Sequence, residues 1–372
     1  MIKNHKNLHF STIDILRGFA ALSVVVYHVI ELMEWKSFPV QGMMLWFRIG
    51  WMGVDMFFVI SGLVIGLAAF SEIDRSGVPE FRIPFLKRRC ARIIPLHYLT
   101  LLIFVVLVAP ELVFDNFWKN LLAHLLFIHN LFPTLHGAIN GSNWSLGTEM
   151  QFYLLIALIA PWLKFVKPWK FVLLFISIAW FWRYLSVIYV PIDGPMGAFS
   201  LFFASTQLPG MLDEFAVGLL MARFFSSERG ANLASKLTNS IWLLPLTATT
   251  VIWGWLVFSL YWKYAGYWDH PRMVIMFRTM LGSAFGALIF IVCLIKFTGF
   301  LAKIFAPLTY LGTISYGIYL WHLPVLLSFK RLSWLSADRA LPWILCCTIL
   351  FAAVSWHFFE KPFIDRFRKK AA

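Results

Sequence analysis

The sequence predicts an all-α integral membrane protein, and three features of its composition support this class. Hydrophobic residues occupy 60% of the 372 positions, charged residues occupy only 13%, and the mean hydropathy is +0.76. A soluble domain usually has about a quarter of its residues charged. Apolar windows of about 20 residues, the length that crosses ~30 Å of hydrocarbon as a helix, recur along the chain.

About ten of these windows are candidate transmembrane helices. They cover residues 13–33, 49–70, 93–113, 148–164, 171–190, 208–224, 241–261, 275–296, 304–327 and 341–359. Most of the 32 Lys and Arg residues fall on the side that holds the N-terminus, which predicts that both termini are cytoplasmic. No internal repeat is visible, and the chain ends soon after the last window. We therefore predict a single membrane domain over residues 1–372.

The net charge of +14 would suggest a nucleic-acid partner in a soluble protein. Here the basic residues lie in short loops between apolar windows, where they set the orientation of the helices, so we expect no nucleic acid. The four cysteines have neither metal-ligand spacing nor a disulfide framework, and we expect them to be buried side chains. The basic and then apolar N-terminus is predicted to be a retained first span rather than a cleaved signal peptide.

The longest predicted outer loop, residues 114–147, contains a Leu-rich stretch at 120–132 that is too short to span a bilayer. We expect this stretch to lie at the membrane interface. The loop also contains His124, His129 and His136. Without a nearby carboxylate or cysteine, these histidines are expected to be solvated or interfacial, and no metal site is predicted.

The first apolar window contains two ionisable residues, Arg17 and His28. They are eleven residues apart, which is about three helical turns, so both lie on one face and are about 16 Å apart along the axis. Such side chains are costly in hydrocarbon and usually indicate a polar path or a site in the protein interior. The pair predicts a functional site that includes this helix.

The predicted topology also gives the depth of other polar residues, at about 1.5 Å per helical residue. His28 and Asp55 are expected at one level in the outer third of the membrane. Two further residues are expected close to that level, Glu149 and His322. By contrast, Arg17, Arg89 and Arg92 are expected at or near the inner face.

A structural role is an alternative for several of these residues. Glu149 follows Thr148, and the pattern Thr148-x-x-Gln151 fits a capping box, so this carboxylate could only complement a helix dipole. Asp55 could do the same at the start of its helix. His322 could be a core histidine beside an aromatic belt. The basic cluster around Arg89 is also explained by the positive-inside rule alone.

Several motifs resemble, in order, those of the acyltransferase family 3 membrane proteins. The first two are Arg17 with His28, and the segment 53–62, Gly-Val-Asp-Met-Phe-Phe-Val-Ile-Ser-Gly. The others are Arg89-x-x-Arg92, the Trp-Ser-Leu-x-x-Glu segment that ends at Glu149, Glu-Phe-Ala-Val-Gly at 214–218, Ser315-Tyr316-x-x-Tyr319-Leu-x-His322, and Glu-Lys-Pro at 360–362. The resemblance covers about residues 12 to 363. No arginine directly precedes Glu214, which departs from the family pattern.

The resemblance implies a bacterial inner-membrane enzyme that uses cytoplasmic acyl-CoA, with acetyl as the family-level expectation. The implied acceptor is a hydroxyl of a surface carbohydrate or of its lipid-linked precursor, modified at the outer side. Many relatives carry an additional extracytoplasmic hydrolase-like domain, which we do not expect here. The oligomeric state, the acceptor hydroxyl and the acyl chain are left open by the sequence.

The predicted site combines this implication with the depths. Imidazole suits proton removal from a hydroxyl near neutral pH, so His28 is the expected general base, oriented by a carboxylate. Asp55 or Glu149 is that carboxylate. Arg17, Arg89 and Arg92 are expected to bind the phosphates of acyl-CoA. The expected supporting residues are Ser315, Tyr316, Tyr319 and His322.

Two other classes of function remain as alternatives. A transporter or flippase for a lipid-linked sugar would also place Arg, His and Asp along a polar path. A membrane receptor would use the arginines as orientation signals only. Ser61 is a weaker candidate for an acyl-carrying nucleophile, because it lies about 120° around the helix from Asp55.

Overall fold

The computed structural model describes residues 11–113, 116–192, 194, 196–238, 240–295, 297–332 and 334–369. Every regular element in this part of the chain is helical, which confirms the predicted all-α class. The α-helices in chain order are α1 Ser11–Leu32, α2 Met52–Ser76, α3 Val78–Ile103, α4 Phe117–Leu125, α5 Trp144–Phe165, α6 Pro168–Tyr189, α7 Gly197–Ser205, α8 Leu208–Phe225, α9 Glu228–Thr238, α10 Leu243–Lys263, α11 Pro271–Leu294, α12 Gly299–Thr313, α13 Ser315–Lys330, α14 Ala337–Ser355 and α15 Lys361–Lys369.

Two helices continue through a π-helical turn, α3 at Phe104–Val108 and α14 at Trp356–Glu360. Short 3-10 turns lie at Gly42–Ile49, Pro110–Val113, His129–Leu131, Gly141–Asn143 and Tyr267–Asp269. Four long helices have a proline at one of their first two positions, Pro79, Pro168, Pro209 and Pro271. Proline suits these positions because its fixed φ matches the helix and its missing N–H would have no intrahelical partner.

Among the described residues, eight helices are long and apolar enough to cross a membrane: α1, α2, α3, α5, α6, α10, α11 and α14, some with their adjoining turns. The other two predicted windows fall on shorter helices. Helix α8 carries Asp213, Glu214 and Arg223 within 18 residues. The window 304–327 is interrupted at Ile314, which separates α12 from α13. The count of ten spans and the cytoplasmic position of both termini stay predictions.

The chain groups into two compact units. The first unit comprises residues 1–13, 55–85 and 151–297, and the second comprises residues 14–54, 86–150 and 298–372. Each unit is assembled from separated stretches of the chain, so the division does not cut the sequence into successive domains. One domain over residues 1–372 therefore stays a prediction, and its residues 1–10 and 370–372 lie outside the described part.

In the first unit, α8 packs against α6, α11 and α2. A Cβ atom on Gly218 would be 2.1 Å from the carbonyl oxygen of Val59, and one on Gly62 would be 2.3 Å from that of Phe215. Only glycine allows two helix backbones to approach this closely. The glycines therefore place the polar residues one turn earlier, Asp55 on α2 and Glu214 on α8, at one level of the same interface.

In the second unit, α1 packs against α12, and α13 packs against α14. A Cβ atom on Gly312 would be 1.7 Å from the carbonyl oxygen of Asp14, and one on Gly18 would be 2.6 Å from that of Leu308. These contacts fix α1, which carries Arg17 and His28. The break at Ile314 then starts α13, so that Ser315 is its first residue.

The predicted interfacial stretch at 120–132 forms the end of α4 and a 3-10 turn. Its histidines were expected to be solvated or interfacial, and the solvated alternative is wrong. His124 and His129 are fully buried, and His136 is only 8% exposed. The rings of His124 and His129 stack with centroids 4.2 Å apart. One nitrogen of each ring is hydrogen bonded to a backbone carbonyl oxygen, that of Asn120 for His124 and that of Asn143 for His129, in place of water.

Candidate functional site

Two predicted site residues meet in the second unit, His28 on α1 and His322 on α13. Nδ1 of His28 lies 3.2 Å from Nε2 of His322, and the ring centroids are 5.0 Å apart. His28 is half-buried, and His322 is fully buried. The sequence placed them at a common depth, and the structure places them in hydrogen-bonding contact.

The hydrogen bonds assign the protons of this histidine pair. Nδ1 of His322 lies 2.6 Å from the carbonyl oxygen of Tyr319, which only accepts, so Nδ1 carries the proton and Nε2 has the lone pair. Nδ1 of His28 lies 2.9 Å from the carbonyl oxygen of Val24 and faces Nε2 of His322, so it must be the donor. The neutral His28 ring therefore has its lone pair on Nε2, the nitrogen that can accept a proton.

The structure gives His28 a different partner from the expected carboxylate. Its Nδ1 hydrogen bonds to Val24 and His322, so a second imidazole lies where we expected Asp55 or Glu149. His322 was predicted only as a supporting residue. The residue type of His322 was the available signal for this partnership. A neutral imidazole with a proton on one nitrogen can accept a hydrogen bond from an N–H group on the other.

A hydrogen-bonded cluster holds α13 against the segment that begins α5. The hydroxyl of Tyr319 lies 2.9 Å from the carbonyl oxygen of Ser142 and 2.8 Å from Oγ of Ser145. Nδ2 of Asn140 donates to the carbonyl oxygen of Leu320 over 2.9 Å. The Trp-Ser-Leu segment and the Ser-Tyr-x-x-Tyr segment are thus one structural unit that fixes the position of His322.

Two other predicted supporting residues lie at the start of α13. The hydroxyl of Tyr316 donates to the carbonyl oxygen of Ile93 on α3 over 2.7 Å, which ties α13 to the Arg89-x-x-Arg92 helix. Ser315 is fully buried as the first residue of the helix. Oγ of Ser315 has no hydrogen-bond partner in the structure, so of these two side chains it is Tyr316 that anchors α13 by a hydrogen bond.

Arg17 lies in a group of charged residues within the same unit. Its Nη1 donates to Oδ1 of Asp14 over 3.0 Å, and only 17% of the Arg17 side chain is exposed. It is also within electrostatic range of Arg92 and Glu149, and Arg92 is within range of Glu360. Arg17 and Arg92 therefore lie in one charged group with Asp14, Glu149 and Glu360.

Glu149 lies deeper than the sequence indicated. Helix α5 begins at Trp144, so Glu149 is about 7 Å inside it rather than in its first turn. Thr148 is fully buried inside the helix and faces Nδ2 of Asn130 at 3.3 Å, so the capping-box interpretation is wrong. Glu149, expected in the outer third, therefore lies within electrostatic range of Arg17, which was expected near the inner face.

Asp55 belongs to an ion-pair network of the first unit. Its Oδ1 accepts a hydrogen bond from Nη1 of Arg278, and both side chains are almost fully buried. In the same unit Nη2 of Arg183 donates to Oδ1 of Asp213 over 2.6 Å. Arg183 and Arg278 lie inside the predicted apolar windows 171–190 and 275–296, and the sequence alone did not identify their partners. A basic residue within a predicted span was the signal that a buried carboxylate must be paired with it.

Within the described ranges, no group of three or more His, Cys, Asp or Glu side chains has a geometry that could hold a metal ion. The four cysteines are unpaired thiols, and the expectation that all of them are buried is wrong, because only Cys293 is buried and Cys346 is exposed.

Comparison of the sequence with known proteins identifies the family of this chain. A family model described as "Acyltransferase domain" matches residues 10–360. The peptidoglycan O-acetyltransferase OatA of Listeria monocytogenes is 26% identical over 94% of this chain and 55% of its own length. The putative peptidoglycan O-acetyltransferase YrhL of Bacillus subtilis is 27% identical over 96% of this chain and 56% of its own length. A putative O-acetyltransferase of Staphylococcus aureus is 24% identical over 97% and 58%.

The chain thus spans little more than half the length of these curated relatives. No solved structure matches it. The family match runs from the start of α1 to the π-helical turn after α14, so it includes the histidine pair, the arginines and every other predicted site residue. By this match over nearly its whole length, the chain belongs to the acyltransferase domain family.

Proposed function

We propose that this protein is a membrane O-acetyltransferase that moves an acetyl group from acyl-CoA to a hydroxyl of a cell-wall carbohydrate or of its lipid-linked precursor. The family membership supports the reaction class. The printed names of the Listeria and Bacillus relatives, both peptidoglycan O-acetyltransferases, support the acceptor. The apolar helices support a multi-pass membrane location, for which we propose the bacterial inner membrane.

One observation carries the mechanism, the hydrogen-bonding state of His28. Its Nδ1 proton is held between the carbonyl oxygen of Val24 and Nε2 of His322, so Nε2 is available as a base. When Nε2 takes a proton, the imidazolium can share its Nδ1 proton with His322. His322 then orients His28, the role that a carboxylate has beside the catalytic histidine of many other enzymes.

The transfer step uses Nε2 of His28 as general base. The hydroxyl proton of the acceptor passes to Nε2 while the hydroxyl oxygen attacks the thioester carbonyl carbon. An oxygen–carbon bond forms, the carbon–sulfur bond breaks, and the CoA thiolate leaves. That thiolate takes the proton from the imidazolium, so the enzyme returns to its starting state with a neutral histidine pair.

The charged group around Arg17 is the proposed donor site. Arg17 and Arg92 approach each other closely enough to interact, although they repel, and a bound phosphate would relieve this repulsion. Arg89 lies one turn before Arg92 on α3 and extends the same basic face. Glu149 near Arg17 connects this group with the level of Tyr319, in the direction that a thioester arm would take.

The test is acetyl transfer by the full chain in inside-out membrane vesicles. Labelled acetyl-CoA is added outside, and soluble peptidoglycan fragments are enclosed as acceptor. We expect label on the fragments with the wild-type protein and none with His28→Ala. Substitution of the exposed His357 by Ala is the matched control and should leave transfer unchanged.

The same experiment separates the alternatives. Acetylation of enclosed fragments by external acetyl-CoA supports donor and acceptor entry from opposite faces. Acetylation only when both are in one compartment would contradict the opposite-face arrangement. A flippase for a lipid-linked sugar would move its lipid without any label appearing on the acceptor, and this outcome would overturn the proposed function.

A further inference from the structure

A second buried polar cluster lies in the first unit and is not used by the proposed transfer. Its carboxyl groups come from Asp55 on α2 and Glu214 on α8. The nearest cation is Arg278 on α11, whose Nη1 donates to Oδ1 of Asp55 and lies 4.0 Å from Oε1 of Glu214. Asp55 is 1% exposed and Glu214 is fully buried.

The helix packing brings the two carboxyl groups to one level. Val59 and Gly218 touch through their backbones, and Asp55 and Glu214 each lie four residues earlier on the two helices. One helical turn is 3.6 residues, so both side chains return to the same interface. From the third side, a Cβ atom on Gly282 of α11 would be 3.2 Å from Cγ of Glu214. The pair is therefore enclosed by three helices.

The neighbouring ion pair needs nothing from this cluster. Nε, Nη1 and Nη2 of Arg183 donate to the carbonyl oxygen of Gly210, the carbonyl oxygen of Ile275 and Oδ1 of Asp213. Asp213 also accepts from Oγ1 of Thr279 and from the backbone N–H of Glu214. Arg183 and Asp213 thus form a complete, neutral pair, so the charge of Arg183 does not balance Asp55 or Glu214.

One charge remains uncompensated in the cluster. If both carboxyl groups are ionised, Arg278 balances only one of them, and a buried unpaired charge is strongly unfavourable. Oδ2 of Asp55 and both carboxyl oxygens of Glu214 have no hydrogen-bond donor in the structure. A single proton between the two groups removes the excess charge and supplies the missing donor. The other ionisable groups around the pair are Arg278, Asp213, Arg183 and Tyr267.

We propose that Asp55 and Glu214 form a carboxyl pair that holds one proton, and that this proton-binding site lies among α2, α8 and α11. The site resembles other carboxyl dyads in which two acids at close range share a proton because both cannot ionise together. It does not depend on the proposed acetyl transfer, because it rests only on the packing and charges of the first unit.

The test is infrared spectroscopy of the full chain, purified and reconstituted in lipid. A protonated carboxylic acid has a carbonyl stretch that is well separated from the bands of carboxylates. We expect this band in the wild-type protein and its loss in Glu214→Gln, because Asp55 then pairs alone with Arg278 and ionises. We expect the same loss in Asp55→Asn, because Glu214 then takes the pairing with Arg278.

Loss of one band in both variants is the signature of a shared proton. Retention of the band in Asp55→Asn would show that Glu214 is neutral through burial alone, which overturns the shared site. Retention in Glu214→Gln would assign the band to another carboxyl group and would also overturn it. If a variant does not fold, wild-type protein labelled with ¹³C in the side-chain carboxyls of Asp and Glu replaces it. A band that shifts with neither label contradicts the proposal.

Discussion

One buried polar pair in each unit can be compared, the pair of Arg183 and Asp213 in the first unit and the pair of His28 and His322 in the second. In the first unit, each of the three guanidinium nitrogens of Arg183 donates a hydrogen bond to Asp213 or to a backbone carbonyl, and both side chains are fully buried. In the second unit, His28 and His322 share one hydrogen bond, and Nε2 of the half-buried His28 stays available. A network whose partners are all satisfied holds helices together, whereas a network with one open basic atom can react.

This difference also explains the choice of residue types. An ion pair of Arg and Asp remains charged in the protein interior only with full compensation, so it suits a permanent structural contact. Imidazoles can be buried in their neutral forms at a much lower cost, and each keeps one donor and one acceptor. The following experiments test this distinction.

The largest expected effect is on the rate of transfer. His28→Ala removes the open basic nitrogen and should lower the rate about 10²–10⁴-fold, as loss of a general base typically does. Acetyl transfer at saturating substrate measures this effect, and thermal unfolding of the same sample checks the fold. Transfer near the wild-type rate by a well-folded His28→Ala protein would contradict the assignment of the second unit as the reactive one.

The next effect should appear in stability instead of rate. Arg183→Met leaves Asp213 buried without its cation, which typically costs about 3–5 kcal/mol. The double variant Arg183→Met/Asp213→Leu removes both charges and should recover most of this loss, because apolar side chains often replace a buried pair at little cost. Unfolding of the three variants in denaturant gives the coupling. If the double variant is as unstable as the single one, the pair is not a closed structural contact.

The donor site should give a smaller effect, and mainly on KM. Arg92→Ala removes a charge-assisted contact to phosphate, which is made in both the ground and transition states, so KM for acyl-CoA should rise about tenfold with kcat retained. Arg82→Ala, at an exposed position on the same helix, is the matched control. An unchanged KM in Arg92→Ala would reduce the basic cluster to an orientation signal.

The smallest expected effect is a dependence of stability on pH. Burial, and to a smaller extent the neighbouring His129, lower the pKa of His124 from its ordinary value to about 3. In the unfolded chain this imidazole therefore binds a proton as the pH falls below about 6.5, whereas in the folded chain it stays neutral. The free energy of unfolding therefore decreases as the pH falls below that value. The contribution is about 1.4 kcal/mol for each pH unit.

Thermal unfolding between pH 6.5 and 5.5 measures this contribution, with His124→Phe as the comparison. The variant should lose less stability than the wild type over this interval, because it has no imidazole to protonate at that position. Equal losses in the two proteins would show that this imidazole is not held neutral by burial.

The site could be predicted in part because the position of a residue within an apolar window indicates its depth in the membrane. His28 and His322 were both expected in the outer third from their positions along apolar windows, and the structure brings them together. Glu149 was misplaced because the start of α5 was assigned several residues too late. Helix ends are set by local hydrogen bonds and tertiary contacts, which an apolar window does not record.

By itself, the sequence determined the helical class, the apolar segments and the set of ionisable residues that must be paired or functional, because the cost of burying polar groups in lipid is a local property of each residue. Only the tertiary structure decided the partners. It paired Asp55 with Arg278 and gave His28 a second histidine, because these contacts join residues more than 200 positions apart whose meeting depends on close helix packing at glycines such as Gly218 and Gly312.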